Sequence, residues 1–352
     1  MLPDGLLSTF DFELSTSFNE PMSRLALALL LCAACQATAP AARLTPAPVE
    51  PGASVPSAGC RPGTPRPSDG NRRLTSGGRT RRFVLKLPNE PAGELRNEPA
   101  GDPHSERSSE PGAPRRPAPL VLNFHGIVET PQLQQFFSGM DEEAARRGVV
   151  MVYPEGVGIS WNAGTCCGRA ASEQVDDVQF VRDLVRELSS ELCLDRTRIS
   201  ATGMSNGGIL SYRLACDAAD LIAAIAPVAA IEAAEHCAPS RPVPVLAFNG
   251  TSDPVVRYSG GWFGDFLSVE ETNARWEKRN HCSSERRTVL ARGRARCDAA
   301  QGCQADVILC SLDGGGHTWP GGIRAPFLGR TNDDVDASAT ILDFFADHPL
   351  RR

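Results

Sequence analysis

A chain of 352 residues, of which 41% are hydrophobic, is long enough for one large domain with a sizeable core and further segments. Its 36 basic and 42 acidic residues give a net charge of −6 without a dense basic stripe, which excludes a typical nucleic-acid-binding protein. Twelve cysteines without repeated Cys-x-x-Cys pairs indicate disulfide bonds made in an oxidising compartment, so we expect export and no metal site.

The N-terminal region predicts a processed leader. Residues 1–21 contain acidic residues but no Lys or Arg, which is the wrong charge for the start of a secretory signal, so we interpret them as a non-native extension before Met22. Residues 22–39 then form a signal peptide whose apolar part is too short for a membrane span. Its end resembles a bacterial lipobox with Cys35 as the lipidated residue, and Ala37-Thr38-Ala39 is the alternative cleavage site.

Two further segments are predicted to be disordered. Residues 40–78 are rich in Pro, Ala and Ser and have too few large apolar side chains to offset their ordering entropy, which indicates a linker. The catalytic domain is predicted to cover 79–352 and to begin with a strand at 81–87. Residues 89–119, rich in Pro, Gly and Glu, are interpreted as a disordered insertion in that domain.

From residue 119 onward, short apolar runs alternate with amphipathic ones. This pattern predicts an α/β fold with a mostly parallel central sheet and helices on both faces. The predicted strands cover 119–124, 149–153, 198–202, 223–228, 243–248 and 306–312. The predicted helices cover 133–147, 178–192, 209–214, 270–279 and 337–346.

The segment Gly203-Met204-Ser205-Asn206-Gly207 has the Gly-x-Ser-x-Gly pattern between a predicted strand and a predicted helix. Such a turn is so sharp that only small residues fit beside the serine, and the following helix N-terminus can polarise an oxyanion. A serine nucleophile needs a base and an acid that orients the base, in the chain order Ser, Asp or Glu, His.

Asp253 and His317 are the predicted partners of Ser205. Asp253 lies in a polar turn after a predicted strand, and its alternative role is an Asx-turn cap before Pro254. His317 lies in the glycine-rich loop 314–322 and follows both Ser205 and Asp253. We therefore predict the catalytic triad Ser205, Asp253 and His317.

Backbone donors and pocket residues complete the predicted site. The oxyanion donors are the N–H of Asn206 and an N–H of the Gly126–Ile127 loop, which follows the strand 119–124. Neighbouring His125 is expected to be structural, hydrogen-bonded beneath that loop. Trp161 and Trp319 are candidate substrate-pocket residues, with ordinary core packing as the alternative.

Other polar and cysteine residues receive structural interpretations. Asp176 and Asp177 precede a helical run and are interpreted as N-terminal caps. Cys166 and Cys167 are expected to be halves of two separate bridges. The predicted disulfides are Cys216–Cys237 and Cys282–Cys303, because each joins segments that flank adjacent sheet elements.

Six motifs together resemble the secreted polyhydroxybutyrate depolymerase and feruloyl-esterase-like family of α/β-hydrolases. They are His125-Gly126, Trp161-Asn162-Ala163-Gly164 with Cys166-Cys167-Gly168, Val175-Asp176-Asp177-Val178, Gly203-Met204-Ser205-Asn206-Gly207-Gly208, Gly250-Thr251-Ser252-Asp253 and Gly315-Gly316-His317-Thr318-Trp319-Pro320-Gly321-Gly322. The resemblance covers residues 80–348 and implies a serine esterase that uses no metal or organic cofactor. The 89–119 insertion, the charged stretch 285–303 and the absence of a recognisable substrate-binding domain depart from the family and leave the substrate open.

We therefore expect a monomeric esterase, secreted or held at the cell envelope, that cleaves short-acyl, hydroxyalkanoate or hydroxycinnamoyl esters. A lipid on Cys35 is the one membrane attachment that the sequence suggests, and no nucleic-acid partner is expected. Three alternatives stay open: a feruloyl or acetyl-xylan esterase acting on plant polysaccharide, a peptidase of the same fold, and a non-catalytic exported binding lipoprotein.

Overall fold

The computed structural model describes residues 53–88, 116–261 and 266–351. The predicted leader with Cys35, and nearly all of the predicted 89–119 insertion, lie outside these ranges. Within them, none of the helices combines the length and the apolar character that a membrane crossing requires.

A single ten-stranded sheet forms the centre of the described fold. Its strands are β1 (Gly70–Ser76), β2 (Arg79–Lys86), β3 (Ala118–Phe124), β4 (Val150–Pro154), β5 (Leu194–Met204), β6 (Ile225–Val228), β7 (Val245–Gly250), β8 (Arg286–Arg292), β9 (Ala295–Ala300) and β10 (Val307–Leu312). Their order across the sheet is β1-β2-β4-β3-β5-β6-β7-β10-β9-β8. The six central strands, from β4 to β10, run parallel, and an antiparallel pair flanks them at each edge.

Helices cover both faces of this sheet, as predicted. They are α1 (Pro131–Ser138), α2 (Met140–Arg146), α3 (Gly168–Ser172), α4 (Asp177–Glu191), α5 (Asn206–Asp217), α6 (Val269–Arg279) and α7 (Ala337–Asp347). One apolar core contains buried side chains of α4, α5 and α6, and a second core contains those of α2 and α7. Two short 3-10 helices cover Ala58–Cys60 and Pro326–Leu328.

Local sequence explains where these helices begin and end. In α4, the buried Phe180, Val181, Leu184 and Leu188 recur at helical spacing and form one apolar face. Helix α6 begins at a capping box, in which the Ser268 hydroxyl accepts from the third helical N–H and Glu271 accepts from the Ser268 N–H. The predicted helix 133–147 is two helices, because Gly139 adopts a left-handed conformation with φ +58° that ends α1.

The predicted linker 40–78 is wrong over its described part, residues 53–78. Strand β1 pairs with β2, and Cys60 forms a disulfide with Cys193 at the start of β5. The Ser57 hydroxyl donates to the carbonyl of Leu192 at 2.6 Å. Polar side chains dominate β1, as is usual for an edge strand with one solvated side, so its composition resembles that of a linker.

The hairpin β8–β9 is the second element that the sequence patterns do not reveal. It occupies the stretch 285–303 and turns at Gly293, whose φ is +52°. This hairpin forms the opposite edge of the sheet, where exposed charged side chains again hide the strand pattern.

The described cysteines are all paired in disulfides. The predicted pairs Cys216–Cys237 and Cys282–Cys303 are confirmed. Cys166 and Cys167 are bonded to each other, so the expectation of two separate bridges is wrong. The remaining pairs are Cys60–Cys193 and Cys297–Cys310, and the second joins adjacent strands β9 and β10.

Candidate active site

The three predicted triad residues all follow the carboxyl ends of parallel strands. Ser205 comes directly after β5, Asp253 lies in the turn after β7, and His317 lies in the loop after β10. Strands β7 and β10 are neighbours, and β6 separates β7 from β5. Ligands of open α/β sheets bind at this edge, so the sheet brings the three side chains to the place where chemistry is expected.

Ser205 occupies a strained turn at the start of α5. Its φ of +54° and ψ of −125° are unusual for a residue with a side chain, and such strain persists where the surroundings hold it. The Ser205 N–H donates to the carbonyl of Val228 at 2.9 Å. At Gly207, a Cβ would overlap the carbonyl oxygen of Phe124 at the end of β3, so only glycine allows this approach of helix and strand.

His317 and Asp253 form a buried hydrogen-bonded pair. The His317 Nδ1 lies 2.8 Å from Asp253 Oδ2, and each residue is 5% exposed. Since a carboxylate only accepts, Nδ1 carries the proton and Nε2 keeps a lone pair for a substrate or nucleophile proton. The other carboxylate oxygen, Oδ1, accepts from the N–H groups of Val255 and Val256 at 2.7 and 2.8 Å. The alternative Asx-turn role therefore coexists with the orienting role in one side chain.

Ser205 lies at the same edge of the sheet and is 7% exposed as a residue. In the described ranges it makes no hydrogen bond to His317. Catalytic hydrogen bonds in unliganded enzymes are often long and shorten only when substrate binds, so the absence of this hydrogen bond does not exclude proton transfer.

His125 holds the loop that follows β3. Its Nδ1 lies 2.7 Å from the Gly126 carbonyl, and its Nε2 accepts the Gly156 N–H at 3.0 Å. Burial lowers the pKa of His125 to about 4, although its hydrogen bond to Gly126 opposes the shift. His125 is therefore a neutral, Nδ1-protonated structural residue, as the sequence interpretation has it.

The N–H groups predicted to bind the oxyanion differ in whether they are already hydrogen-bonded. The Gly126 N–H donates to Glu129 Oε2 at 2.8 Å, so the expectation that it is available for an oxyanion is wrong. Within the described ranges, the N–H groups of Ile127 and Asn206 make no hydrogen bond. Asn206 is the first residue of α5, where backbone N–H groups have no partner inside the helix. Asn206 and Ile127 therefore carry the two available donors.

Trp161 and Trp319 are core residues, which corrects the expectation that they line a substrate pocket. They are 0% and 1% exposed. The Trp161 indole N–H donates to the His125 carbonyl at 2.9 Å, and the Asn206 side chain binds the backbone N–H and C=O of Trp161 at 2.6 and 3.1 Å. Trp161 thus joins the loop after β3 to the start of α5. The Trp319 indole N–H donates to Ser338 at 3.0 Å.

The two aspartates before α4 have different roles. Asp176 caps the helix by accepting the Gln179 N–H at 2.8 Å. Asp177 is fully buried and accepts from Arg81 at 2.7 Å and from the Asn162 N–H at 2.8 Å, so its expected role as a cap is wrong. Burial raises the pKa of Asp177, and the charge of Arg81 opposes this shift.

The described ranges contain one group of side chains of metal-ligand type, formed by Cys216, Glu232 and Cys237. Its two sulfur atoms are joined in a disulfide, and the Glu232 carboxylate pairs with Arg279 at 2.6 Å. These ligand atoms are therefore engaged with protein groups, and their role is structural.

Seven large apolar side chains are exposed in the described ranges, and all lie on segments that follow β3, β4 or β10. They are Ile127, Val128, Leu133, Phe136, Ile159, Ile323 and Phe327, and we call them the apolar rim. Backbone hydrogen bonds join the segments that carry them: Val128 N–H donates to Ile159 C=O at 2.9 Å, and Ile323 N–H to Phe137 C=O at 3.2 Å. The His317 N–H donates to the carbonyl of Leu328, next to Phe327, at 2.7 Å.

Two curated proteins and a solved structure are similar to this chain. Feruloyl esterase B of Piromyces equi is 35% identical over 218 residues, which span 57% of this chain and 39% of that protein. Feruloyl esterase D of Neurospora crassa is 26% identical over 275 residues, which span 75% of this chain and 83% of that protein. The structure of an acetyl xylan esterase from Aspergillus awamori aligns with a TM-score of 0.51 at 12% identity, covering 79% of this chain and 99% of that chain. No protein-family model matches.

These similarities bear on the fold and on the reaction class separately. The likeness to the solved structure confirms the predicted α/β-hydrolase fold. The two curated esterases support a carboxylic ester hydrolase. This chain spans about two fifths of the length of the Piromyces equi enzyme.

Proposed function

We propose that this α/β-hydrolase is an exported serine esterase with the triad Ser205, Asp253 and His317. The observation that carries the proposal is the buried 2.8 Å contact between His317 Nδ1 and Asp253 Oδ2, at the sheet edge where the strained Ser205 begins a helix. This contact directs the unprotonated Nε2 to act as a general base.

In the proposed reaction, His317 Nε2 takes the Ser205 proton as Oγ attacks the ester carbonyl carbon. The N–H groups of Asn206 and Ile127 stabilise the negative oxygen of the tetrahedral intermediate. The imidazolium, stabilised by Asp253, then protonates the departing alcohol and leaves an acyl-serine. Water deprotonated by His317 attacks this acyl group, which releases the acid and restores the serine hydroxyl. No metal or organic cofactor takes part in these steps.

The proposed substrates are short-acyl, hydroxyalkanoate or hydroxycinnamoyl esters. The apolar rim, part of which is hydrogen-bonded to the loops of Ile127 and His317, supports an ester with an apolar or aromatic portion, because such surface favours apolar ligands over charged ones. The names of the two curated relatives favour the hydroxycinnamoyl class and hence the alternative of a feruloyl esterase acting on plant polysaccharide. The sequence resemblance to polyhydroxybutyrate depolymerases supports hydroxybutyrate oligomers as the second class.

Export is supported by the disulfides, because such bonds persist in oxidising compartments. A culture fractionation with non-reducing peptide mapping tests it. We expect the mature protein outside the cytoplasm with Cys216–Cys237 and Cys282–Cys303 oxidised. Finding these four cysteines as free thiols in a cytoplasmic protein would contradict export.

Mass spectrometry of the mature N-terminus decides between a lipid on Cys35 and cleavage after Ala39.

The substrate experiment compares methyl ferulate, p-nitrophenyl butyrate, soluble 3-hydroxybutyrate oligomers, polyhydroxybutyrate granules and a peptide anilide. We expect the soluble esters to be cleaved far faster than granules, and the anilide to remain intact. A fluorophosphonate probe should label Ser205 in the wild type and leave the Ser205→Ala variant unlabelled. Rapid anilide cleavage would favour the peptidase alternative. Absence of both labelling and ester cleavage would favour a non-catalytic binding protein.

A further inference from the structure

Glu129 closes the loop that follows β3 through two hydrogen bonds. Its carboxylate oxygen Oε2 accepts the Gly126 N–H at 2.8 Å, and its own N–H donates to the Gly126 carbonyl at 3.3 Å. The carboxylate lies so close to Gly126 that a Cβ built there would be 3.0 Å from Oε2. The two residues therefore form a compact turn in which both polar backbone groups of Gly126 are bound.

These contacts fix the direction of the next N–H group. The Gly126 carbonyl belongs to the same peptide unit as the Ile127 N–H, and the two groups point in opposite directions in a trans peptide. His125 Nδ1–H, at 2.7 Å, and the Glu129 N–H hold that carbonyl on one side of the loop. The Ile127 N–H is thereby turned to the other side, where the described residues offer it no acceptor.

We infer that Glu129 is a positioning residue whose carboxylate binds the Gly126 N–H and thereby leaves the Ile127 N–H as the loop's donor to the oxyanion. This inference rests on the proposed esterase reaction and deepens it. The hydrogen bonds of Glu129 in the described ranges go to Gly126, so it acts through the backbone of residues 126 and 127. Oxyanion donors need accurate placement, because a shift of roughly 1 Å in an active site can cost about 100-fold in rate.

The charge of Glu129 gives a second, independent readout. Burial raises the pKa of its carboxyl group, while the Gly126 N–H and the charge of His317 lower it. Asp253, which is hydrogen-bonded to His317, is unchanged in a Glu129 variant. Glu129→Gln removes the Glu129 ionisation, so its kcat/KM should depend on pH differently from that of the wild type on the acid side.

The experiment compares Glu129→Ala, Glu129→Gln and the matched control Glu142→Ala, whose wild-type carboxylate on α2 is 88% exposed. With p-nitrophenyl butyrate, we expect Glu129→Ala to lower kcat by roughly 10- to 100-fold with KM changed less than about threefold. Glutamine keeps an oxygen that can accept the Gly126 N–H, so Glu129→Gln should retain kcat within about fivefold and shift only the acid limb. The control should match the wild type in both respects.

Amide hydrogen exchange separates failure of this inference from failure of the proposed function. We expect Glu129→Ala to speed exchange of the Gly126 amide at least about tenfold and Glu129→Gln to preserve its protection, because exchange follows local opening of the hydrogen bond. This measurement needs no catalysis. A wild type without esterase activity would refute the proposed reaction and, with it, the positioning role of Glu129 in that reaction. This holds even if the exchange result shows that the Glu129 carboxylate binds the Gly126 N–H. Unchanged kcat and exchange in Glu129→Ala, or equal losses in Glu129→Ala and Glu129→Gln, would overturn the inference itself.

Discussion

Asp253→Asn tests the geometry of the triad because the surrounding backbone dictates how the new amide must lie. In the wild type, Oδ1 accepts the N–H groups of Val255 and Val256, and Oδ2 accepts from His317 Nδ1. An asparagine must keep its oxygen toward the two N–H groups, so its NH₂ faces His317. The imidazole then accepts at Nδ1 and carries its proton on Nε2, where it cannot take the proton of Ser205.

The expected loss follows from this change of tautomer. The same substitution in a serine protease lowers kcat by about 10⁴, and 10⁴ corresponds to roughly 5 kcal/mol of activation free energy. Steady-state hydrolysis of p-nitrophenyl butyrate measures the loss, and the rate of fluorophosphonate labelling gives a second measure of Ser205 reactivity. Asp176→Asn is the matched control, because that carboxylate caps α4 away from the triad. A kcat within tenfold of the wild type would refute the reasoning.

Three further predictions follow from the same geometry. Ser205→Ala and His317→Ala should each lower kcat by at least about 10⁴-fold with little change in the thermal unfolding midpoint, and activity in either variant would exclude that residue from the triad. Gly207→Ala should lower the free energy of unfolding by about 1–3 kcal/mol and kcat by roughly 100-fold, because its methyl group would push α5 away from Phe124; calorimetry and kinetics together check this. Burial in the folded state lowers the pKa of His125 to about 4 from an ordinary 6.5. As the pH drops from 6.5 to 4, the unfolded state therefore binds a proton that the folded state does not, and the free energy of unfolding falls by up to roughly 3 kcal/mol. Urea unfolding across this pH range should show that the wild type loses its advantage in free energy of unfolding over His125→Gln. A constant difference between the two proteins would contradict a neutral His125 in the folded state.

Much of the central fold can be read from the sequence because its strands are buried on both faces. Predominantly apolar runs such as 119–124 and 306–312 have few alternatives to a buried strand, and the observed β3 and β10 differ from them by one residue. Edge strands lack this signal. Polar residues of β1 face solvent, and only its pairing with β2 gives them an ordered structure.

The candidate site likewise contains residues that the sequence predicts and residues that it does not. Ser205 lies in a motif whose spacing has a steric cause, and the chain order of Asp253 and His317 narrows the choice of partners. Glu129 has no such motif, and its contact with the Gly126 N–H depends on the path of a loop. The sequence also gives no signal for the burial of Trp161. An aromatic residue in a loop segment has the same sequence pattern whether it faces a substrate or packs beneath the loop.

The reaction and the choice of substrate depend on different parts of this molecule. The proposed triad residues follow β5, β7 and β10, whose hydrogen-bond ladders and buried side chains fix their relative positions. The apolar rim lies instead on loops, one short helix and a 3-10 turn, which tolerate substitution without disturbing the sheet. A single scaffold can therefore keep its chemistry while its ester changes. For this reason the sequence supports a triad more directly than it supports a choice between feruloyl, acetyl and hydroxybutyryl groups.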